Sequence, residues 1–343
     1  MNASKNTLAI KNFTEGEINL SMHTKFDFLK AMTIVLALGS ISLFGCSEEN
    51  TNAKTYKLVT GPQGGAWYPL GGALKGLIER DQSDIKIQVL PGGGVSNVLA
   101  LHTGQADIAL AQSVTSLDAI EGRAPFQEPL QNICNVATFY RQYFQVVTLA
   151  ESSVDTPFDL KDKVLATQPR GATGEAITSH LLQAHDMDYK SLSNVSFGSY
   201  TDSVTLMKDG NADVFTLTTT IPSGAVMDLA SSRSVKLMPM SEDAHERMQK
   251  INSKYERGVI PKGTYPEQNE DVPTIFWYTH LTARCDVEDQ VIAHILDSIV
   301  SGSMELVSVT KAIAGLDIPT MTRDIGVPMH PGASKWYEDQ KQN

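Results

Sequence analysis

The sequence predicts an α/β protein built as two similar lobes that face each other across a cleft. Three features carry that expectation. Strand-like and helix-like patterns alternate along the chain, as they do in parallel sheets with helices on both faces. A strand, a Gly-rich turn and a helix at residues 56–80 return roughly one hundred residues later, at 163–185. Two long β-patterns, 136–149 and 274–283, read as the crossings between the lobes.

Taken in order, residues 56–60 read as a strand and 70–80 as a helix. Residues 85–90 alternate as a strand does and end at Pro91-Gly92-Gly93-Gly94; 96–103 are helical, and 107–112 form a short apolar strand ending in Gln112-Ser113. After the first crossing, 163–167 is a strand that ends in Gln168-Pro169-Arg170-Gly171-Ala172-Thr173-Gly174-Glu175, and 176–185 is a helix. Residues 202–208 are helical, and 212–217 form a strand running into Thr218-Thr219-Thr220 and Pro222. The tail 286–314 is helical with an apolar stripe and is expected to pack back on the first lobe. This assigns 55–139 and 280–343 to lobe 1 and 140–279 to lobe 2. In parallel α/β sheets ligands bind at the carboxyl ends of strands, and here those ends carry small and polar residues. A Gly-rich turn into a helix lets backbone approach a ligand and aims free amides and the positive helix end at an anion. The turn at 61–66 lacks the Lys-Ser/Thr of a P-loop and the dinucleotide glycine spacing. Alone, it reads equally well as a tight turn with no ligand.

The N-terminal region speaks of export. Lys25 and Lys30 precede an apolar run at 31–44, then Gly45 and Cys46, the layout of a secretory signal. The run is short for a transmembrane helix. Leu43-Phe44-Gly45-Cys46 resembles a bacterial lipobox, in which Cys46 is lipidated and becomes the first mature residue, although Phe44 is bulkier than that pattern favours. Residues 1–21 are expected to be a mis-assigned start ahead of Met22, 22–45 a lipoprotein signal peptide and 46–54 a polar tether. The expected location is the periplasm, with the protein held to a bacterial membrane by lipid only. Ser47, where Asp would signal inner-membrane retention, leans toward the outer membrane.

Removing residues 1–45 takes away four lysines and three acidic residues and shifts the net charge from −11 to −12. That charge argues against nucleic acid or an anionic membrane surface as partner. Cys134 and Cys285 are free to pair in an exported protein, or to stay as buried thiols; the sequence leaves both open. Neither lies at metal-ligand spacing from a His or Cys. No cofactor and no metal are expected.

The motifs together resemble the TAXI-type solute receptors that serve tripartite ATP-independent periplasmic (TRAP) transporters. The resemblance rests on Gly64-Gly65-Ala66-Trp67-Tyr68-Pro69-Leu70-Gly71-Gly72-Ala73-Leu74 and on Gly104-Gln105-Ala106-Asp107-Ile108-Ala109-Leu110-Ala111-Gln112-Ser113. It rests further on Gly263-Thr264-Tyr265-Pro266 and on Val327-Pro328-Met329-His330-Pro331-Gly332-Ala333, and spans about residues 55–338. It implies a type II periplasmic binding fold, with a cleft that closes on a small carboxylate such as a glutamate-like amino acid or a 2-oxoglutarate-like dicarboxylate, delivered to TRAP permease subunits. It implies ligand contacts from Gly64, Gly65, Ala66, Trp67, Tyr68, Asn97, Gln112 and Ser113 on the first lobe, and from Tyr140 at the crossing. Gly171, Ala172, Thr173, Thr218, Thr219 and Pro222 would serve on the second. Two departures stand out. The second-lobe loop reads Gly-Ala-Thr-Gly, and the crossing reads Phe139-Tyr140-Arg141-Gln142 where the family often has Leu-Tyr-Pro-Glu. Arg141, with Arg170 nearby, is therefore a candidate carboxylate contact, weighed against a solvated surface charge.

Plainer readings hold elsewhere. Trp67 serves the cleft or packs under its loop; His330 reads as a turn residue; His280 and His294 show no metal spacing; Glu242-Asp243 and Glu270-Asp271 read as loops or helix caps. Ser113 has no nucleophile elbow around it, so an enzyme is not expected. The alternative to transport is a lipoprotein that senses solute and signals to a membrane sensor.

Overall fold

The computed structural model describes residues 53–61, 65–80, 82 and 84–342. The first half of the chain alternates β1 (Lys54–Val59), α1 (Trp67–Ile78), β2 (Ile85–Leu90), α2 (Gly94–His102), β3 (Ile108–Gln112) and α3 (Ser113–Glu121). β4 (Cys134–Leu149) then leads to β5 (Val164–Thr167), α4 (Thr173–Ala184), β6 (Asn194–Phe197), α5 (Tyr200–Lys208), β7 (Val214–Thr219) and α6 (Gly224–Ala230). The chain continues through β8 (Val235–Leu237), α7 (Glu242–Ile251), β9 (Glu256–Ile260) and β10 (Val272–Ala283). It ends with α8 (Asp289–Ser301), α9 (Ser303–Val309), α10 (Ile318–Met321) and α11 (Pro331–Gln342).

Local sequence explains these elements. Pro69 sits in the first turn of α1, where a missing N–H costs no helix bond. Gly122 ends α3 in the left-handed region. Ser241 caps α7 by accepting from Ala244 N, and Glu242 and Asp243 occupy its first turn, where the helix dipole favours acids. β3 is buried along its whole length, as a central parallel strand must be.

The strand order is β2-β1-β3-β10-β4-β7-β5-β6, with β8 beside β4 and β9 beside β10. It holds the same motif twice. β2-β1-β3 and β6-β5-β7 are parallel trios of equal connectivity, and the antiparallel pair β10-β4 lies between them. Three successive antiparallel contacts, β3 with β10, β10 with β4 and β4 with β7, make the trios run in opposite directions. The carboxyl ends of both therefore turn toward the middle. Gln112 at the end of β3 stands beside Thr279, and Thr219 at the end of β7 stands beside Tyr143. This is a two-lobed α/β fold with its rim at the centre of the crossing pair.

Each lobe buries a core, and a further cluster joins Val95, Val98 and Ala111 of the first to Ala176 of the second. Leu70, Leu74, Ile292 and Ile295 pack with Leu58 and Leu110 in the first. In the second, Ile177, Leu181 and Met248 cover one sheet face with Phe144 and Val146, while Val204, Met207 and Val226 cover the other with Phe215 and Leu217. The helical tail packs on α1 of the first lobe, with α8 and α9 both touching that helix. Cys134 and Cys285 form a disulfide at the outer end of the crossing pair. Among the described residues no single helix is long and apolar enough to cross a membrane.

Candidate functional site

Of the helices of eight or more residues that open after strands of the two trios, four are α1 after β1, α2 after β2, α3 after β3 and α4 after β5, and a fifth is α5 after β6. None of the first four has a side chain capping its first turn, whereas α5 and α7 are capped by Ser199 and Ser241. Uncapped first-turn amides and positive helix ends make such a rim receptive to an anion.

The rims touch. Gly171 O lies 3.5 Å from where a Cβ on Gly93 would stand, and Thr173 Oγ1 lies 1.8 Å from the corresponding point on Gly94. Thr173 Oγ1 is also 2.9 Å from Thr115 Oγ1. Only a glycine at 94 lets the start of α2 meet the start of α4 this closely, so the two lobes stand closed on one another.

Four buried polar atoms on the crossing strands lack a partner among the described residues: Gln145 Nε2, Tyr278 Oη and the two that concern the closure. The Tyr140 hydroxyl and Gln142 Oε1 are buried and make no hydrogen bond, in side chains 5 % and 6 % exposed. Gln142 Nε2 donates to Thr279 Oγ1 at 2.9 Å, and Gln112 Oε1 accepts from Trp277 Nε1. Burial pushes the Tyr140 hydroxyl up to about 12, against the smaller opposing influence of Thr279 and Trp67 beside it, so it stays protonated and able to donate. Buried polar atoms are nearly always paired, which makes these two the places where a bound molecule would be felt.

The expected residues fall into distinct groups. Gly65, Ala66 and Tyr68 lie at the start of α1, with Ala66 exposed and Tyr68 half-buried. Trp67 packs in the first-lobe core and under the loop, its Cβ 3.1 Å from the Cβ position of Gly61. Asn97 spends its polar atoms on backbone: Nδ2 donates to Thr60 O at 2.6 Å and Leu110 O at 2.8 Å, and Oδ1 accepts from Gly93 N at 2.9 Å. It fastens three strand ends and offers no donor to a ligand. Ser113 Oγ accepts from Tyr278 N at 3.1 Å. On the second lobe Gly171 (φ +84°), Ala172 and Thr173 form the loop that meets the first. Thr218 Oγ1 donates to Gln168 Oε1 at 3.0 Å, Thr219 is half-buried, and Pro222 is exposed after a cis peptide bond.

Arg141 is where the structure departs most from expectation. Side chains alternate along a strand, so Arg141 leaves β4 on the face opposite Gln142. It is exposed and stacks over Phe276 at 4.4 Å, away from the Tyr140 hydroxyl. Arg170 likewise lies over Phe197 at 4.1 Å, with Glu175 3.7 Å away. Gly64, Cys46, the segments 1–21 and 22–45 and most of the tether lie outside the described residues. Gln142, Thr279 and Gln168 were not among the expected contacts; the two-residue period from Tyr140 would have pointed to Gln142. Among the described residues no group of three or more His, Cys, Asp or Glu gathers to hold a metal.

Among solved structures, the chain is similar to a candidate L-cystine ABC transporter from Listeria monocytogenes at 15 % identity and TM-score 0.49, over 77 % of this chain and 97 % of that one. It is similar to an ancestral arginine-binding protein bound to arginine at 12 % identity and TM-score 0.48, over 77 % and 100 %. It is also similar to the periplasmic aliphatic sulphonate binding protein of Escherichia coli at 12 % identity and TM-score 0.41, over 83 % of each chain. These likenesses concern the fold alone. The sequence pattern of the NMT1-like family matches residues 58–340, and the chain belongs to that family.

Proposed function

We propose that this protein is an extracytoplasmic, lipid-anchored receptor that closes on a small carboxylate solute and hands it to a TRAP-type membrane permease. The observation that carries the reading is the pair of unpartnered buried atoms, Tyr140 Oη and Gln142 Oε1, between closed lobes. A buried hydrogen-bonding group left unsatisfied costs about 1–3 kcal/mol; a solute that supplies the partner recovers it. Tyr140 donates to a carboxylate oxygen, and the uncapped starts of α1 to α4 favour that negative charge. Gln142 Oε1 only accepts, so the solute needs an N–H or O–H opposite it. A glutamate-like amino acid offers both groups; a 2-oxoglutarate-like dicarboxylate offers carboxylates without the donor and is expected to bind more weakly.

The test is thermal unfolding of solute-free protein with glutamate, glutamine, 2-oxoglutarate and short dicarboxylates. A ligand at one hundred times its Kd adds about 2.7 kcal/mol of stability. We expect the largest shift with an amino acid, reduced about tenfold in affinity by Tyr140→Phe and by Gln142→Leu. No shift with any compound would end the carboxylate reading. Equal responses in both variants would move the solute away from the crossing strands.

A further inference from the structure

Behind the crossing strands lies a second cavity of about 370 Å³, which the solute reading leaves unused. It is open to solvent, and its wall includes Arg141, Tyr143, Tyr278, Thr320 and Arg323, with the loop after β7 and the segment 312–316 along its edge. Tyr140 contributes to the wall, but its hydroxyl stands with Thr279 and Trp67. Arg141 and Arg323 both line this space, and among the described residues no carboxylate forms a salt bridge with either. Arg141 stacks over Phe276, and Arg323 lies 5.0 Å over the ring of Tyr278. Asp317, held in its charged form mainly by Thr320 and least by Arg323, accepts from Thr320 N at 2.9 Å as the cap of α10. Tyr278 is 4 % exposed, and its buried hydroxyl lies beside the Arg141 guanidinium and finds no acceptor among the described residues.

The geometry points to an anion site here: two ring-stacked guanidinium groups and the Tyr278 hydroxyl converge on a small oxyanion. Guanidinium groups present paired N–H donors that match carboxylate or phosphate oxygens. A buried tyrosine O–H without an acceptor is a third donor, held by the core. Ring stacking holds both arginines, and Arg141 also leans on the Tyr278 and Tyr143 hydroxyls, which leaves part of its fork for an anion. Water occupies about 30 Å³ per molecule, so the space takes a compact oxyanion with several waters. An anion there would join β4, through Arg141, and β10, through Tyr278, to the C-terminal segment that carries Arg323. The inference does not depend on the identity of the cleft solute, because Gln142 and Arg141 leave β4 on opposite faces.

The probe is inorganic phosphate, read as a rise in melting temperature of the full chain at millimolar concentration against chloride at equal ionic strength. Wild type is expected to respond, and Arg141→Leu and Arg323→Leu each to weaken the response about tenfold or more. Tyr278→Phe should weaken it less, and Arg323→Lys, which keeps the charge and loses the fork, should fall between. Variants that melt as wild type without phosphate are folded, so a lost response in them is a lost site. The cleft variant Gln142→Leu should respond to phosphate as wild type does while losing affinity for the amino acid. No response in wild type, or an undiminished response in both arginine variants, would overturn the site. Loss of the response in Gln142→Leu would also overturn it, by placing the anion in the cleft. A phosphate response with no amino-acid binding would sink the solute reading and leave this one standing.

Discussion

The two lobes repeat one connectivity and hold their rims together in different ways. In the first, the Asn97 amide ties Thr60, Gly93 and Leu110 through backbone bonds, and the Cys134–Cys285 disulfide locks the outer end of the crossing pair. In the second there is neither. Thr167, Thr178 and Thr216 form a closed triangle of hydroxyls, 2.8 to 3.2 Å apart, and Thr178 also reaches Gly174 O at 2.7 Å. The repeat lives in topology and not in side chains. Both lobes use these rim side chains internally and leave only uncapped first-turn amides for a ligand, so Tyr140 and Gln142 supply the free side-chain atoms between them. The site is defined by what the scaffold does not satisfy.

The largest expected effect comes from the covalent tie. Its two cysteines are 151 residues apart in sequence, and a loop of that length gives about 5 kcal/mol in the chain-entropy estimate, with measured losses of about 2–5 kcal/mol. Urea unfolding of Cys134→Ser/Cys285→Ser should show a loss in that range, confined to the first lobe if the lobes unfold separately. A midpoint unchanged from wild type would mean that the first lobe owes nothing to its disulfide.

Asn97→Ala should cost about 2 kcal/mol, because it takes the side-chain donor from the Thr60 and Leu110 carbonyls, while Ser96 Oγ still accepts from Gly93 N at 3.1 Å. Thr178→Val should cost about 1 kcal/mol, since Thr167 and Thr216 still pair with each other at 2.8 Å. Chemical denaturation of both variants checks the contrast. If the two costs match, the single-residue fastening of the first rim is no more critical than the shared fastening of the second.

A further contrast, within the first lobe, is acid sensitivity. His280 in the first lobe is fully buried between Ser116 Oγ at 2.8 Å and Asn135 Oδ1 at 3.0 Å, and burial pulls it down to about 3. The unfolded chain takes up this proton below about 6.5 while the folded protein refuses it. The contribution is therefore whole above pH 6.5 and is lost as pH falls toward 3, at up to about 1.4 kcal/mol per pH unit. Asp118 on α3 works the other way. Burial raises it to about 6 against the opposing pull of Arg123 and Asn252, so its contribution weakens as pH rises from about 4 to 6. Unfolding free energies at pH 7, 6 and 5 should fall more gently in His280→Gln and more steeply in Asp118→Asn. Identical slopes in all three proteins would show that neither group carries the linkage.

Much of this was legible in the sequence. Alternating patterns and the paired Gly-rich turns announced two α/β lobes, and the long β-patterns announced the crossings, because both signals are local. The short strands β6, β8 and β9 were not legible, since three to five residues carry too little periodicity. Of α7 only the start was legible, Glu242 and Asp243 reading as a loop or a helix cap; after Ser241 they form its first turn. The role of Asn97 could not be read, because an amide after a glycine turn looks the same whether it holds backbone or ligand. Arg141 was placed by its chemistry when its strand position was the stronger guide: one residue from Gln142 means the other face. A register shift between Tyr278 and His280 disturbs the β10–β4 pairing at this point and cannot be seen in sequence.

The smallest expected effect on stability is the most informative about closure. Gly94→Ala puts a methyl 1.8 Å from Thr173 Oγ1, a contact between lobes and not within one. Within the first lobe the change is harmless, since Gly94 opens a helix in which Ala is favoured over Gly by about 1 kcal/mol or less. The solute-free protein should therefore melt as wild type or slightly higher. Solute affinity should fall, because closure now requires Thr173 to move and give up its contact with Thr115. Thr173→Ala in the same chain removes the clashing hydroxyl and should restore part of the affinity, although its Cβ still lies 3.1 Å away. Calorimetric titration of the three proteins decides between two sources of binding energy. If Gly94→Ala binds as tightly as wild type, contact between the rims is incidental and the crossing strands alone hold the solute. If affinity falls and Thr173→Ala brings part of it back, the two differently fastened rims act together, and their meeting is a component of recognition.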